Sequence, residues 1–200
     1  LESGQFFRYY EKQGAYYIVS ADKFFKIKQE NNLISFEGAN KKFIQEFLGL
    51  NHDFETTKKE LSKDKILSTA IEKYNGLRIL KQQPWEALTA FICSAASNIP
   101  KITMNVNLLA ETFGKKINLD NETAHLFPEQ GQMNDLQKIK NCKTGFRAKY
   151  LHDANTISSD FLKHIETMQY AEALQQLTTI NGVGEKIADC TLLFAYNKLE

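Results

Sequence analysis

The sequence predicts an α+β protein, with a small N-terminal antiparallel β-sheet domain followed by a mostly α-helical domain. Four short aromatic or β-branched runs, separated by turn-forming residues, occupy the first forty or so positions. From Asn40 onward the apolar residues recur at helical spacing instead. No internal repeat and no low-complexity segment interrupts that order.

The runs "QFFRYY", "AYYIVS", "FFKIKQ" and "LISFEG", divided by turn material such as "EKQG" and "ENN", read as an antiparallel meander. Phe6, Phe7, Tyr9 and Tyr10 suit a half-buried strand, with core or interdomain packing as their role. "ANKKFIQEFLGL" puts Phe43, Phe47 and Leu48 on one helical face, and "KDKILSTAIEKYNG" ends on a glycine fit for a helix C-cap. Pro84 opens the next helix, "PWEALTAFICSAAS", with Leu88, Phe91 and Ile92 as its apolar stripe. Pro100 opens "PKITMNVNLLAETFG", with Ile102, Val106 and Leu109 inward and Gly114 at the stop. A polar connection containing Pro128 follows, then helices in "NDLQKIK", "FRAKYLHDANTISSDFLKH", "YAEALQQL" and "EKIADCTLLFAY". The join falls near Gln83, giving residues 1–83 as the β-rich domain and 84–200 as the helical one.

Apolar residues make up 42% of the chain and charged residues 24%, too apolar for a disordered protein. A net charge of +1 means that any nucleic-acid contact must come from a local basic patch. No apolar run reaches membrane-spanning length and no signal-peptide pattern is present. Cys93, Cys142 and Cys190 stand far apart, so no zinc ribbon or iron–sulfur cluster can be built from them, and isolated thiols fit a reducing compartment. His52, His125, His152 and His164 show no metal-type pairing and read as surface or capping residues. The chain opens on Leu1 and stops at Glu200 without a closing element, and reads as a C-terminally incomplete fragment.

Chemistry concentrates in "TTINGVGEKIADC". Gly182 and Gly184 turn one helix into the next, permit positive φ and close backbone approach, and leave the following helix N-terminus with free N–H groups. That arrangement suits an anion such as a DNA phosphate, and it equally suits a helical hairpin that binds nothing. Lys186 follows two residues later. Only a neutral amine attacks carbon, and an ordinary lysine is neutral to less than roughly one part in a thousand at pH 7. The helix dipole supplies at most about 2 kcal/mol toward the neutral form, so partial burial or a neighbouring cation must supply the rest. A solvated first-turn lysine is the plain alternative. Between Lys138 and Lys149 the chain also carries Lys140, Lys143 and Arg147 with no acidic residue, either a solvated face or a phosphate-tracking surface.

"INGVGEKIADC" resembles the helix-hairpin-helix of base-excision DNA glycosylases, and specifically that of the 8-oxoguanine DNA glycosylase/AP lyase family. "SGQFFRY" resembles that family's N-terminal strand, "PWEALTAFICSAASNIPKIT" its first core helix and loop, and "TGFRAKYL" its DNA-wedging loop. The aromatic N-terminal sheet sets the chain apart from the endonuclease III and adenine glycosylase branches. The resemblance implies that Lys186 attacks C1′ of the damaged nucleotide and forms a Schiff base, from which β-elimination cuts the strand. It implies that Cys190, one turn on, lies against the everted base, and that the Gly4 carbonyl accepts the N7–H that 8-oxoguanine has and guanine lacks. Phe146 would fill the gap in the stack, while Arg147, Asn98, Lys101, Gly182 and Gly184 would contact DNA. No metal or organic cofactor is implied. The expected partner is double-stranded DNA containing damaged guanine, served by a monomer inside the cell with no membrane involved. A related glycosylase for another damaged base, or a non-catalytic DNA-binding module, are the alternatives.

Two departures bear on activity. The family's catalytic aspartate is expected just beyond Glu200, and Asp189 is expected to pack or stabilise its helix rather than replace it. In "SAASNIPK" the family's asparagine-rich loop reads Ala96, Ser97, Asn98, and Lys101 stands where an arginine reads the cytosine opposite the lesion. An ammonium cannot reproduce the bidentate fork of a guanidinium. Preference for cytosine opposite the lesion is therefore expected to be weaker than in the family's eukaryotic members. Excision assays should give similar activity against all four opposite bases, and a strong cytosine preference would refute the expectation.

Overall fold

The computed structural model describes residues 1–199. Strands β1 (Tyr9–Lys12), β2 (Ala15–Ser20), β3 (Lys23–Glu30) and β4 (Leu33–Glu37) form a four-stranded antiparallel sheet in sequential order. Two-residue turns set the register, pairing Lys12 with Ala15, Ser20 with Lys23 and Glu30 with Leu33. Gln13 and Gly14 both take positive φ, as a tight hairpin between right-twisted strands requires. The sheet is shorter at its start than the sequence predicts, because Phe6, Phe7 and Arg8 precede the ladder and are all buried. Phe6 packs edge-on against Phe47 at 5.4 Å, while Phe7 packs against Phe91 at 6.3 Å. Neighbouring residues thus enter two separate apolar clusters, one under the sheet and one in the helical part.

Three helices follow the sheet: α1 (Lys41–Phe47), α2 (Phe54–Leu61) and α3 (Lys65–Lys73). Ile44 and Phe47 are the buried residues of α1, with Phe43 and the C-cap residue Leu48 half-buried against the same cluster. The helix α2, capped by Asp53, lacks a strong apolar stripe and was not evident in the sequence. Next, α4 (Pro84–Ser94) runs through the core with every residue from Trp85 to Cys93 buried, which makes it the central strut of the helical part. It contacts α5 (Ile99–Phe113), α7 (Arg147–Asn155) and α10 (Glu185–Tyr196).

The connection around Pro128 contains an unexpected hairpin, β5 (Lys116–Leu119) and β6 (Glu122–His125). Its four-residue strands are half polar and would not persist alone. The sheet holds them: Tyr10 donates its hydroxyl to Glu122 at 2.9 Å, Lys26 pairs with Asp120 at 2.7 Å, and Lys12 pairs with Glu122. After α6 (Leu136–Ile139) comes a single π-type turn, Lys140–Thr144, with Lys143 in the left-handed region. The stretch expected as continuous helix from Phe146 to His164 divides into α7 and α8 (Ser159–Thr167), the second capped by Ser158. Helix α9 (Tyr170–Leu177) leads into the hairpin before α10. Among the described residues no helix is long and apolar enough to cross a membrane.

A buried ion pair fastens the sheet to the helices. Arg8 Nη1 lies 3.3 Å from Glu86 Oε1, with both side chains under 5% exposed, and the other Arg8 amino group donates to the His125 carbonyl. Burial pushes the Glu86 carboxyl up, opposed by Arg8. Such a pair returns little net stability, but removing one partner strands a buried charge at about 3–5 kcal/mol. Glu86→Gln should lower unfolding free energy in urea by about that amount; a loss under about 1 kcal/mol would contradict the assignment.

Candidate active site

Helix α10 is placed by its buried face. Ile187, Ala188, Thr191, Leu192 and Ala195 turn inward, and Phe194 stacks on Phe91 of α4 at 5.4 Å. Lys186 and Cys190 share the adjoining face one turn apart. Lys186 is exposed, without the partial burial expected to favour its neutral amine, and its side chain makes no hydrogen bond or ion pair with any described residue. Cys190 is half-buried, and burial pushes its thiol up, against the pull of Lys186 and with a further push from Asp189. A thiol so shifted stays protonated at neutral pH and presents a soft, uncharged wall. Asp189 itself accepts the Tyr170 hydroxyl at 2.6 Å, a packing bond between α10 and α9.

The turn between α9 and α10 is closed by short backbone bonds, Ile180 N–H to the Leu177 carbonyl and Val183 N–H to the Ile180 carbonyl. Gly182 sits at φ 83°, where L side chains strain. A Cβ there would fall 2.3 Å from the Tyr150 ring, so glycine lets α7 close on the hairpin. Gly184 differs from the sequence-based expectation. Its φ is −92°, open to any residue, and a Cβ would meet nothing within 4 Å. It caps α10 without a side-chain hydrogen bond, and the position its Cβ would take is open. Glu185, the first helical residue, faces the same solvent and complements the helix's positive end.

A second cluster surrounds Phe146, which is 60% exposed at the head of α7. The π-type turn puts it there: Asn105 donates to the Cys142 carbonyl, Thr144 to the Ile139 carbonyl, and Gly145 takes φ 62°. The Phe146 ring meets Tyr150 edge-on at 6.2 Å, so Tyr150 touches both Phe146 and the Gly182 turn. Tyr150 was not singled out in the sequence. Its position four residues after Phe146 on one helix face was the available signal.

The predicted DNA contacts occupy different settings. Lys138, Lys140, Lys143 and Lys149 are exposed, a basic strip beside Phe146. Arg147 is buried and spends its guanidinium on three backbone carbonyls, those of Ala95, Ala96 and Thr144. Asn98 caps α5 by accepting the Lys101 N–H at 3.0 Å, which leaves the half-buried Lys101 side chain as the cation of that loop. Gly4, at φ 80°, lies against Ile99, the first residue of α5. No hydrogen bond among the described residues joins Gly4 to Lys186 or Cys190. A groove of about 490 Å³ between the N-terminal segment, β3, β4 and residues 76–80 contains none of the predicted site residues.

Residues 1–88 match the family model described as 8-oxoguanine DNA glycosylase, N-terminal domain. An N-glycosylase/DNA lyase of Saccharomyces cerevisiae is 36% identical over 135 residues, covering 59% of this chain and 36% of that protein. A probable N-glycosylase/DNA lyase of Methanothermobacter thermautotrophicus is 29% identical over 161 residues, 68% of this chain and 52% of the relative. The chain thus spans about half or less of these curated relatives. The solved structure of MBOgg1 in complex with a low-affinity DNA ligand superposes with a TM-score of 0.91 at 34% identity, covering 98% of this chain and 71% of that one. The apo form of Clostridium acetobutylicum 8-oxoguanine glycosylase/lyase gives 0.91 at 31% identity, with 98% and 72% covered.

The two hairpin glycines should respond differently to the same substitution. Gly182→Ala should cost about 1–3 kcal/mol through overpacking against Tyr150 and an unfavourable φ. Gly184→Ala should stay within about 0.5 kcal/mol of the parent, because it meets open space. Thermal melts of the two variants check this, and equal losses would refute the distinction.

Proposed function

This chain belongs to the 8-oxoguanine DNA glycosylase/AP lyase family, and on that footing we propose that it works in base-excision repair. It would evert 8-oxoguanine from double-stranded DNA, displace the base with Lys186 and cut the strand. The observation that carries this reading is the exposed, unpaired Lys186 in the first turn of α10, two residues past the open backbone at Gly184. The free N–H groups there take a phosphate, which sets the neighbouring sugar within reach of the amine. Residues 1–83 form the β-rich part and 84–200 the helical part of this machine. Every group invoked stands on one chain, so a monomer suffices, and the unpaired thiols fit a reducing intracellular compartment.

The chemistry follows from an amine at an anomeric carbon. Once its proton has passed to a general base, Lys186 Nζ forms a bond to C1′ as the glycosidic bond breaks, and the nucleobase leaves with that electron pair and gains a proton. Opening of the sugar ring gives a protonated imine between Nζ and C1′. Loss of a C2′ proton then expels the 3′ phosphate, cleaving the strand by β-elimination. Phe146 occupies the vacated place in the stack, offsetting the few kcal/mol of unstacking with about 1–3 kcal/mol of aromatic contact. The exposed lysines at 138, 140, 143 and 149 follow the phosphates. The neutral Cys190 thiol packs on the base, and the Gly4 carbonyl accepts its N7–H; guanine, with a lone pair there, would leave acceptor facing acceptor.

Borohydride trapping on duplexes carrying 8-oxoguanine or an abasic site tests the proposal. A covalent adduct should form and should vanish in Lys186→Gln with duplex binding retained. Absence of any adduct on the abasic duplex, or an adduct that persists in the variant, would overturn it.

A further inference from the structure

We infer that Asn181 and Asp153 form a clasp that fixes the direction in which the glycine turn presents α10, which makes both of them positioning residues for the Lys186 amine. The inference rests on the reading of Lys186 as the nucleophile.

The turn between α9 and α10 is rooted by two apolar side chains, Ile180 at 6% exposure and Val183 at 5%. Its crest, Asn181 and Gly182, lies between these roots and outside the core cluster. Two contacts from α7 reach the crest. The Tyr150 ring lies against Gly182, and Asn181 Nδ2 donates to Asp153 Oδ2 at 2.7 Å. Tyr150 and Asp153 stand three residues apart on α7 and so share a face. The ring sets how closely the turn approaches, but a flat ring resists sideways sliding weakly. A hydrogen bond to a carboxylate is directional, and it pins the crest at a second point. Two points on a rigid helix define an orientation, whereas one leaves the turn free to pivot. The other carboxylate oxygen, Oδ1, lies 3.9 Å from His152 Nδ1, beyond hydrogen-bond reach. Asn181 is therefore the one side-chain hydrogen-bond partner of this carboxylate among the described residues. Lys186 follows five residues after Asn181, in the first turn of α10, so a pivot at the crest is carried to its Nζ. Misplacement of a reacting group by about 1 Å can cost on the order of a hundredfold in rate. Asn181 is exposed and Asp153 half-buried, so the bond adds little to global stability and acts chiefly through placement.

A reciprocal swap tests the clasp. Asn181→Asp sets two carboxylates against each other, and adding Asp153→Asn restores a donor opposite an acceptor at the parent's net charge. On a duplex with an abasic site, at saturating protein, the borohydride-trapping rate constant should fall about tenfold in Asn181→Asp. It should return to within about twofold of the parent in the double variant. A single variant as fast as the parent, or a double variant as slow as the single one, would overturn the inference. Amide hydrogen exchange on the free chain reads the crest without the reaction. The Val183 N–H, which closes the turn on the Ile180 carbonyl, should exchange about tenfold faster in Asn181→Ala, while that of Leu192 in the buried face of α10 keeps its rate. Equal Val183 rates in this variant and the parent would sink the clasp. If the parent gives no adduct on the abasic duplex, the Lys186 reading fails while Val183 exchange still decides the clasp.

Discussion

The Tyr150 ring lies against the backbone of Gly182 with no room for a methyl group between them. That approach fixes how α7 meets the α9–α10 hairpin, and so fixes the direction in which α10 leaves the turn. Lys186 is in the first turn of that helix and inherits its position from the contact. Tyr150 also meets Phe146 edge-on, and the Phe146 ring lies 4.6 Å from the Arg147 guanidinium at the end of α4. Hairpin, exposed ring and loop are thereby joined through two side chains of one short helix. The glycine at 184 is without strain and borders open space.

The scaffold beneath this surface buries charged groups where sheet meets helices. Arg8 and Glu86 bring opposite charges into a nearly dry interface between sheet and helices. The pair contributes alignment more than stability, since each charge gives up its hydration to be there. Phe6 and Phe7 divide between the two apolar clusters, and the β5–β6 hairpin is stitched to the sheet by lysine and tyrosine bonds to two carboxylates. Those carboxylates, Asp120 and Glu122, are held below their ordinary range chiefly by hydrogen bonds to Lys26 and Lys12. The stitching is in place above the ordinary carboxylate range and is lost as the pH falls through their depressed values. The N-terminal segment carrying Gly4 thus reaches the start of α5 on a well-anchored path.

Much of this was legible in the sequence wherever periodicity or chemistry is local. The four strands, the proline-opened helices α4 and α5, and the hairpin before α10 follow from spacing and turn residues that act over a few positions. The β5–β6 hairpin was not legible, because ties from residues far away in sequence hold its short polar strands. Gly184 illustrates a subtler gap: two glycines in one motif look alike on paper, yet one needs its backbone freedom while the other has an ordinary φ and open space around it. Arg147 shows the same limit for charge. A basic run announces cations, but only the fold reveals which of them is spent on backbone carbonyls.

The most direct measurement is a crystal structure of the chain reduced onto an abasic-site duplex. Expected are a covalent bond from Lys186 Nζ to C1′, a phosphate at the N–H groups following Gly184 and Phe146 in the vacated stack. A linkage through another amine, or a duplex lying away from the α7 and α10 face, would contradict it.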